Sequence, residues 1–592
     1  MSTAIVTGPP VPGSSLENDL RALGFEVRTA SDTAETEALL AAVPADRRVA
    51  VVDARFVGHV HALRLGLTDP RFPLAAIPGA VTAQSAGRQA LSRALAGEAS
   101  AGGGTALAVD GLVTALDADV HHPELGSLVA AVPADPQARN EARQAVAAID
   151  DEAVRLKSAV KSRDGFFTTF FISPYSRYLA RWCARRGLTP NQVTTASLVT
   201  ALIAASCAAT GTRAGFVAAG VLLIASFVLD CTDGQLARYS LQYSTLGAWL
   251  DATFDRAKEY AYYAGLALGA ARGGGHDDVW ALALGAMVLQ TCRHVVDFSF
   301  NEANHDATAN TSPTAALSGR LDSVGWTVWV RRMIVLPIGE RWALIAVLTA
   351  ATTPRITFCV LLIGCAFAAT YTTAGRVLRS LTRKAKRTDR AAQALADLAD
   401  NGPLAELSAR VLRRAAKGPA FLWAAGGTAL LLLTAWIDGS GPALVVAAVG
   451  YVLISSGAVV KPLKGALDWL VPPLFRAAEY GTVLILAGKA GVNGALPAAF
   501  GLVAAVAYHH YDTVYRIRGD AGAPPAWLVR AIGGQEGRTL LVTVLAAVLT
   551  AAQFKVALTV LAVVVAGLVL VESIRFWVSA GAPAVHDEGE PA

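Results

Sequence analysis

The stretch Asp230-Cys231-Thr232-Asp233-Gly234-Gln235-Leu236-Ala237-Arg238, followed after a short spacer by Gly247-Ala248-Trp249-Leu250-Asp251-Ala252-Thr253-Phe254-Asp255, sets four carboxylates at the edges of apolar segments. Asp230 and Asp233 are three residues apart and Asp251 and Asp255 four apart. On helices each pair shares one face, and a turn running from Gly234 to Gly247 brings the two faces together. Four converging carboxylates repel one another unless cations bind. Oxygen-only ligands suit Mg²⁺, Mn²⁺ or Ca²⁺, and Mg²⁺ in particular takes a few carboxylates and fills its other positions with water or substrate phosphate. The chemistry this points to is a reaction at a phosphate ester. The plainer reading, solvated helix ends beside membrane segments, is weakened by the cost of placing charge in and near a bilayer.

The residues fit DxxDGxxAR, a spacer, then GxxxDxxxD at every fixed position, and in this the chain resembles the CDP-alcohol phosphotransferase (CDP-alcohol phosphatidyltransferase) family. The resemblance implies two divalent ions, Mg²⁺ or Mn²⁺, bridging the diphosphate of a CDP-linked donor, attack by an acceptor hydroxyl on phosphorus, and departure of CMP. Carried over by position, it implies that Asp230, Asp233 and Asp251 are metal ligands and that Asp255 both contacts metal and takes the acceptor proton. Gly234, Ala237, Arg238 and Gly247 would line the nucleotide together with Asp230. Thr189-Pro190-Asn191-Gln192-Val193-Thr194 resembles the TPNxxT entry of the family's first helix, which implies that Asn191 approaches the CDP moiety. Pro190 is also a sound first helical residue on its own terms. A carboxylate beside metal ions has low proton affinity, so the work of Asp255 is as much orientation as basicity.

At 592 residues, 54% hydrophobic, 16% charged and a mean hydropathy of +0.44, the chain is too apolar for a soluble protein and long enough for several domains. The apolar segments begin after about residue 189, and no basic-then-apolar signal sequence precedes them, so the first part is expected in the cytoplasm. The net charge of +5 is modest, Lys and Arg gather at membrane edges, and nothing points to nucleic acid. Six cysteines without a CxxC pair argue against a disulfide framework or a zinc site.

Residues 1–133 alternate β-like runs (Ala4 to Thr7, Phe25 to Thr29, Val49 to Val52, Leu74 to Ile77) with helical ones, which predicts an α/β domain with a largely parallel sheet. Some relatives in the family carry a cytidylyltransferase domain at this place. Here no Gly-rich loop followed by Arg and Lys accompanies the first strand, and Asp53 and Asp110 are the only acids at strand-like ends, so the reading is a decayed nucleotidyltransferase-like domain or a merely structural one. Residues 134–163 read as a solvated linker helix. Residues 164–380 form the membrane domain of the family, 381–417 a cytoplasmic basic linker, 418–580 a second membrane domain and 581–592 a tail. Within 164–186, Phe, Tyr and Trp interleave with Arg, as in a helix lying in the membrane interface. Apolar segments at about 193–211, 215–232, 246–270, 279–298, 342–352 with flanks and 355–374 predict six spans, given the ~20 residues needed per crossing. The loop from Asn301 to Glu340, with Trp326, Trp329, Arg331 and Arg332, is expected along the same interface. Arg376 to Arg390 is rich in positive charge and places that side, with the aspartates, in the cytoplasm.

Residues 418–580 contain six further apolar segments that echo the first set. Trp249, Arg256, Glu259 and Tyr260 recur as Trp469, Arg476, Glu479 and Tyr480; His294 and Asp297 as His509 and Asp512; Trp329 and Arg332 as Trp527 and Arg530. The second copy has Val471 and Phe475 in place of Asp251 and Asp255 and no DxxDG, so it reads as a catalytically inactive pseudo-repeat. The chain is then either an internal pseudo-dimer or part of a homodimer.

The function expected is an integral membrane transferase of several spans, with active site and N-terminal domain cytoplasmic. It moves a phosphatidyl group from CDP-diacylglycerol or a similar CDP-linked donor to a polar alcohol in phospholipid biosynthesis. A non-catalytic membrane scaffold or substrate-binding protein is the alternative. Lys258, Arg293, Arg331, Arg332 and Arg341 are the cations available to a phosphorylated acceptor.

Overall fold

The computed structural model describes residues 2–101, 107–161, 164–273, 278–307, 329–330, 333–382, 386–414 and 416–579. The first part runs β1 (Ser2–Thr7), α1 (Leu16–Ala22), β2 (Phe25–Ala30), α2 (Thr33–Ala42), β3 (Val49–Asp53), β4 (Val57–Gly58), α3 (Val60–Thr68), β5 (Leu74–Ile77), β6 (Ala80–Ala83), α4 (Arg88–Ala101), α5 (Val109–Thr114) and β7 (Ala130–Ala131). The main sheet has the order β2-β1-β3-β6-β5. The expected strands are β1, β2, β3 and β5, but the sheet is mixed rather than largely parallel: β1 runs parallel to β2 and β3, while β6 is antiparallel to both β3 and β5. The reason is local. Pro78-Gly79 closes a tight β5–β6 hairpin, with Gly79 at φ 76°, a conformation that favours glycine. Asp110 Oδ1 accepts from the Gly79 N–H at 2.8 Å, and Asp53 is held by Arg55 at 2.8 Å, so both strand-end acids have structural partners.

The single solvated linker helix expected over 134–163 is two docked helices, α6 (Pro136–Ala147) and α7 (Asp151–Ser158). Asp135 and Asp150 cap their N-termini, which sets the break between them. Arg143 donates to the Gly13 carbonyl at 2.9 Å and ties α6 to the sheet domain. Through α7, Leu156 and Ala159 pack on Tyr239, and Arg155 Nε donates to the Tyr239 carbonyl at 2.8 Å.

His61 of α3 is buried, and its two ring nitrogens have no hydrogen-bond partner among the described residues. Burial, with Arg155, Arg64 and His59 alongside, pushes its pKa from 6.5 down to about 4. A folded-state value below the unfolded one means stability that is present above pH 6.5 and lost as pH falls toward 4, by up to about 3 kcal/mol. Thermal unfolding followed from pH 7 to pH 4 should show this loss in the wild type, and a smaller one in His61→Phe.

The remainder is helical: α8 (Ser173–Arg185), α9 (Pro190–Ala208), α10 (Arg213–Ser240), α11 (Thr245–Arg272), α12 (Asp278–Asn304), α13 (Ile338–Ala351), α14 (Pro354–Thr382), α15 (Asp389–Leu398), α16 (Pro403–Leu412), α17 (Ala420–Asp438), α18 (Pro442–Ala458), α19 (Val471–Lys489), α20 (Ala495–Arg518), α21 (Ala526–Ala531), α22 (Gly534–Val548) and α23 (Ala551–Ser579). α8 exposes Tyr175, Tyr178 and Trp182, in keeping with an interfacial helix. Among the described residues six helices are long and apolar enough to cross a membrane: α10, α12, α14, α17, α23 and the segment Asp468–Lys489 around α19. This is an integral membrane protein with an α/β domain at its front. Fewer helices meet the length and apolarity of a span than the two sets of six expected, because several of the others are short or carry the polar groups described below. Much of the loop from Asn301 to Glu340, including Trp326, Arg331 and Arg332, lies outside the described residues.

Residues 418–579 repeat the helix order and neighbours of 189–382. α9 packs on α10 and α11, α10 on α13, and α12 on α14; in the same way α17 packs on α18 and α19, α18 on α22, and α20 on α23. The halves meet through α11, α12, α19 and α20. The contacts are reciprocal. Trp577 of α23 stacks on Trp249 at 6.3 Å, and Ser380, at the same place along α14, accepts from Trp469 Nε1 at 3.0 Å.

Candidate metal centre

The turn that joins the two acidic helices is shorter than the Gly234 to Gly247 expectation. α10 continues through Gly234 to Ser240, Leu241 takes a left-handed conformation (φ 52°), and Ser244 caps α11 by accepting from the Gly247 N–H. Four residues therefore reverse the chain, and the first turns of α11 bring the Asp251 carboxylate to those of Asp230 and Asp233 on α10.

α11 is also drawn close to α9 by two glycines one turn apart. A Cβ on Gly265 would stand 2.4 Å from the Ala205 carbonyl oxygen, and one on Gly269 2.0 Å from that of Ala208. Small residues at such a crossing let backbones touch, as membrane helices require. At the start of α9, Thr189 and Gln192 form a reciprocal cap around Pro190. This holds Asn191 over the start of α11, where a Cβ on Gly247 would meet the Asn191 Oδ1 at 2.8 Å.

Three of the four aspartates converge: Asp230, Asp233 and Asp251 each offer a carboxylate oxygen within 4.8 Å of the others. Asp255, one turn beyond Asp251, faces the same space through Lys258, whose Nζ lies 2.9 Å from Asp255 Oδ1 and is also hydrogen-bonded to Asp230. Lys258 is 1% exposed and donates further to Ser197 Oγ at 3.3 Å. One ammonium among four carboxylates leaves an excess of negative charge. Asp233 Oδ2 is buried with no hydrogen-bond partner among the described residues, while Asp251 is exposed at the mouth. A buried, unsatisfied acceptor beside two further carboxylate oxygens fits a hard divalent cation with open positions.

The other sequence-chosen residues are placed as follows. The Arg238 guanidinium lies over Gly234, where a Cβ would stand 3.5 Å from Nη1 and Nη2, and its Nε donates to the Ala159 carbonyl at 2.6 Å. Ala237 is half-buried on the last turns of α10. Lys258 is placed between Asp230 and Asp255 rather than at the mouth. Arg341 is paired with Glu259 at 3.2 Å. Arg293 donates to the Val335 carbonyl, and its Nε and Nη1 are buried without a partner among the described residues.

A supporting network behind the acids escaped the sequence reading. Arg256, next to Asp255, pairs with Glu259 at 2.9 Å and approaches His294 Nδ1 at 3.4 Å; Tyr263 donates to Glu259 at 2.8 Å. The second half builds the same unit: Arg476 with Glu479 at 2.9 Å and Arg538 with Glu479 at 2.6 Å, joined by Asp400. The signal was in the sequence, since Arg256, Glu259 and His294 are the residues the second half echoes. There Val471 and Phe475 are fully buried, and the described residues hold no second acidic cluster of this kind.

Residues 187–369 match the family model for CDP-alcohol phosphatidyltransferases, and residues 389–592 match a family of unknown function (DUF5941). The chain is 34% identical over 131 residues to a phosphatidylinositol phosphate synthase of Streptomyces avermitilis, covering 21% of this chain and 51% of that protein. It is 33% identical over 91 residues to an archaetidylinositol phosphate synthase of Pyrococcus horikoshii, covering 15% and 47%. It is 30% identical over 114 residues to a bifunctional IPC transferase and DIPP synthase of Aquifex aeolicus, covering 19% and 26%. The chain thus spans about half the length, or less, of the curated relatives it matches.

Proposed function

We propose that this protein transfers a phosphatidyl group from a CDP-linked lipid, CDP-diacylglycerol or a close analogue, to a polar alcohol and releases CMP, a reading supported by the match of residues 187–369 to the CDP-alcohol phosphatidyltransferase model and by the full acidic motif within them. The observation that carries the reading is the convergence of Asp230, Asp233 and Asp251 oxygens within 4.8 Å. Two Mg²⁺ or Mn²⁺ ions bound there would neutralise the diphosphate and stabilise the entering and leaving oxygens. The rest is the work of the chain. Asp255, oriented by Lys258, accepts the proton of the acceptor hydroxyl as its oxygen bonds to phosphorus and the bond to CMP breaks. Arg238, Gly234 and Gly247 leave room and positive charge for the nucleotide, with Asn191 at its edge. Orientation with the acidic site and the N-terminal domain in the cytoplasm follows from the basic run after α14.

Of the cations considered for a phosphorylated acceptor, Lys258 and Arg341 are already paired, while Arg293 keeps Nε and Nη1 buried without a hydrogen-bond partner among the described residues. Two of the relatives are named as synthases of inositol phosphate lipids. Purified protein should release CMP from CDP-diacylglycerol with inositol phosphate or glycerol phosphate faster than with inositol. Activity should vanish in EDTA and return with Mg²⁺ or Mn²⁺. Turnover undiminished in EDTA would exclude the metal-dependent reaction, and binding of CDP-diacylglycerol without CMP release under any acceptor would favour a scaffold.

A further inference from the structure

The helix that carries Asp251 and Asp255 is gripped from the second half at two points that bracket these residues. Two positions before Asp251, Trp249 stacks on Trp577 of α23 at 6.3 Å with the rings 19° from parallel. One position after Asp255, Arg256 lies over the ring of Tyr511 of α20 at 5.3 Å, and the Tyr511 hydroxyl is hydrogen-bonded to His294 Nδ1. The gripping residues are themselves fixed. Asp512 accepts from Trp577 Nε1 and from Ser573 Oγ, both at 2.7 Å, and is held in turn by Arg516 at 2.8 Å. Tyr511 and Trp577 are buried, at 4% and 5% exposure.

We propose that residues 389–579 serve as a built-in partner that sets the rotation of α11, with Tyr511 and Trp577 as positioning residues for the metal-binding aspartates. The inference rests on the metal reading above and assigns a role to the segment whose family has none. Asp251 joins Asp230 and Asp233, and Asp255 reaches Lys258, only if α11 presents both acids toward α10. A helix turns about its axis by 100° per residue, so a rotation of a few tens of degrees moves a carboxylate oxygen by ångströms. Glu259, Arg341 and His294 resist that rotation from within the first half, where Arg256 also pairs with Glu259, but the Trp249 ring and the face of the Arg256 guanidinium are covered from across the interface by Trp577 and Tyr511. The second half keeps this supporting set while lacking acids at 471 and 475, as expected of a part retained for positioning rather than for chemistry.

The test uses full-length protein in detergent or lipid. Mn²⁺ affinity is read by electron paramagnetic resonance, and kcat and KM by CMP release. Outer-shell partners typically change metal affinity by 10–100-fold, so Tyr511→Ala and Trp577→Ala should weaken Mn²⁺ by about tenfold or more and lower kcat more than they raise KM for the CDP-lipid. Tyr511→Phe keeps the ring over Arg256 and should recover most of the loss. Leu558→Ala, a buried aliphatic site on α23 away from α11, controls for general loosening: it should lower the unfolding temperature while leaving Mn²⁺ affinity as in wild type. Wild-type Mn²⁺ affinity in Tyr511→Ala and Trp577→Ala, or an equal loss in Leu558→Ala, overturns the positioning role. Wild-type protein that binds no Mn²⁺ at all overturns the metal reading and this inference with it.

Discussion

Protein carrying Asp233→Asn should release CMP from CDP-diacylglycerol at least about a hundredfold more slowly than wild type, a loss exceeding the 10–100-fold seen when only outer partners of a metal site are removed. Asp233 is the buried member of the converging trio, and its Oδ2 has no partner among the described residues, so the carboxylate does nothing in the fold that asparagine could not do. Thermal stability should hold or rise, because one source of repulsion among four acids is gone. Asp255→Asn and Asp251→Asn should lose activity to a similar extent. Asp230→Asn and Asp255→Asn are expected to differ from the other two in stability. Lys258 is 1% exposed and shares its ammonium between Asp230 and Asp255, and loss of one carboxylate leaves that buried charge half-compensated. Rates of CMP release with unfolding curves on the same samples separate the two effects, and near-wild-type turnover in Asp233→Asn would remove it from the metal centre.

The largest effect on stability is expected far from that site. Asp400 takes Arg538 Nη2 at 2.6 Å and Arg476 Nη1 at 3.4 Å on one oxygen and His509 Nε2 at 3.2 Å on the other. Both arginines are buried, and Glu479 is the other carboxylate that balances them. Breaking a buried ion pair from one side costs about 3–5 kcal/mol, because the partner's charge is left uncompensated. Asp400→Asn should show that loss in full, since Asp400 sits at φ 53° and asparagine tolerates the left-handed conformation as well as aspartate. Adding Arg538→Met to Asp400→Asn should restore much of it, as replacing both members of a buried pair is often close to neutral. Chemical denaturation of the three proteins in one detergent checks the pattern. A single variant within 1 kcal/mol of wild type, about the size expected of an exposed pair, would show that the cluster is open to water.

The acidic motif could be read because its chemistry is local: two helical pairs at spacings of three and four, joined by a turn, admit few arrangements. Helix positions followed from apolar runs for the same reason, and α9 to α14 lie within a few residues of where hydropathy put them, apart from the ends of α10, α12 and α14, which extend into polar sequence. What hydropathy could not supply was the partners of the buried charges. Lys258 looked like a cation free to meet an acceptor, and only the fold shows it turned inward between Asp230 and Asp255. Arg256, Glu259 and Arg341 are scattered over 86 residues, and their meeting depends on how α11 and α13 cross. In the front domain the misjudged sheet came from a single dipeptide: Pro78-Gly79 marks a hairpin as surely as an apolar run marks a strand, and it sets β6 antiparallel to its neighbours.

The reciprocal contacts between Trp249 and Trp577 and between Trp469 and Ser380 join two bundles that belong to one polypeptide. For two separate chains in a bilayer such contacts obey mass action and are lost as the chains are diluted among lipids. Here they close within one molecule, at an effective concentration fixed by the connecting segment. If the proposed transfer is its activity, turnover per molecule should therefore stay level as the lipid-to-protein ratio is raised, and the protein would work at copy numbers too low for two chains to meet. The tether also removes the symmetry that a pair of identical subunits imposes, so each half is free to change alone.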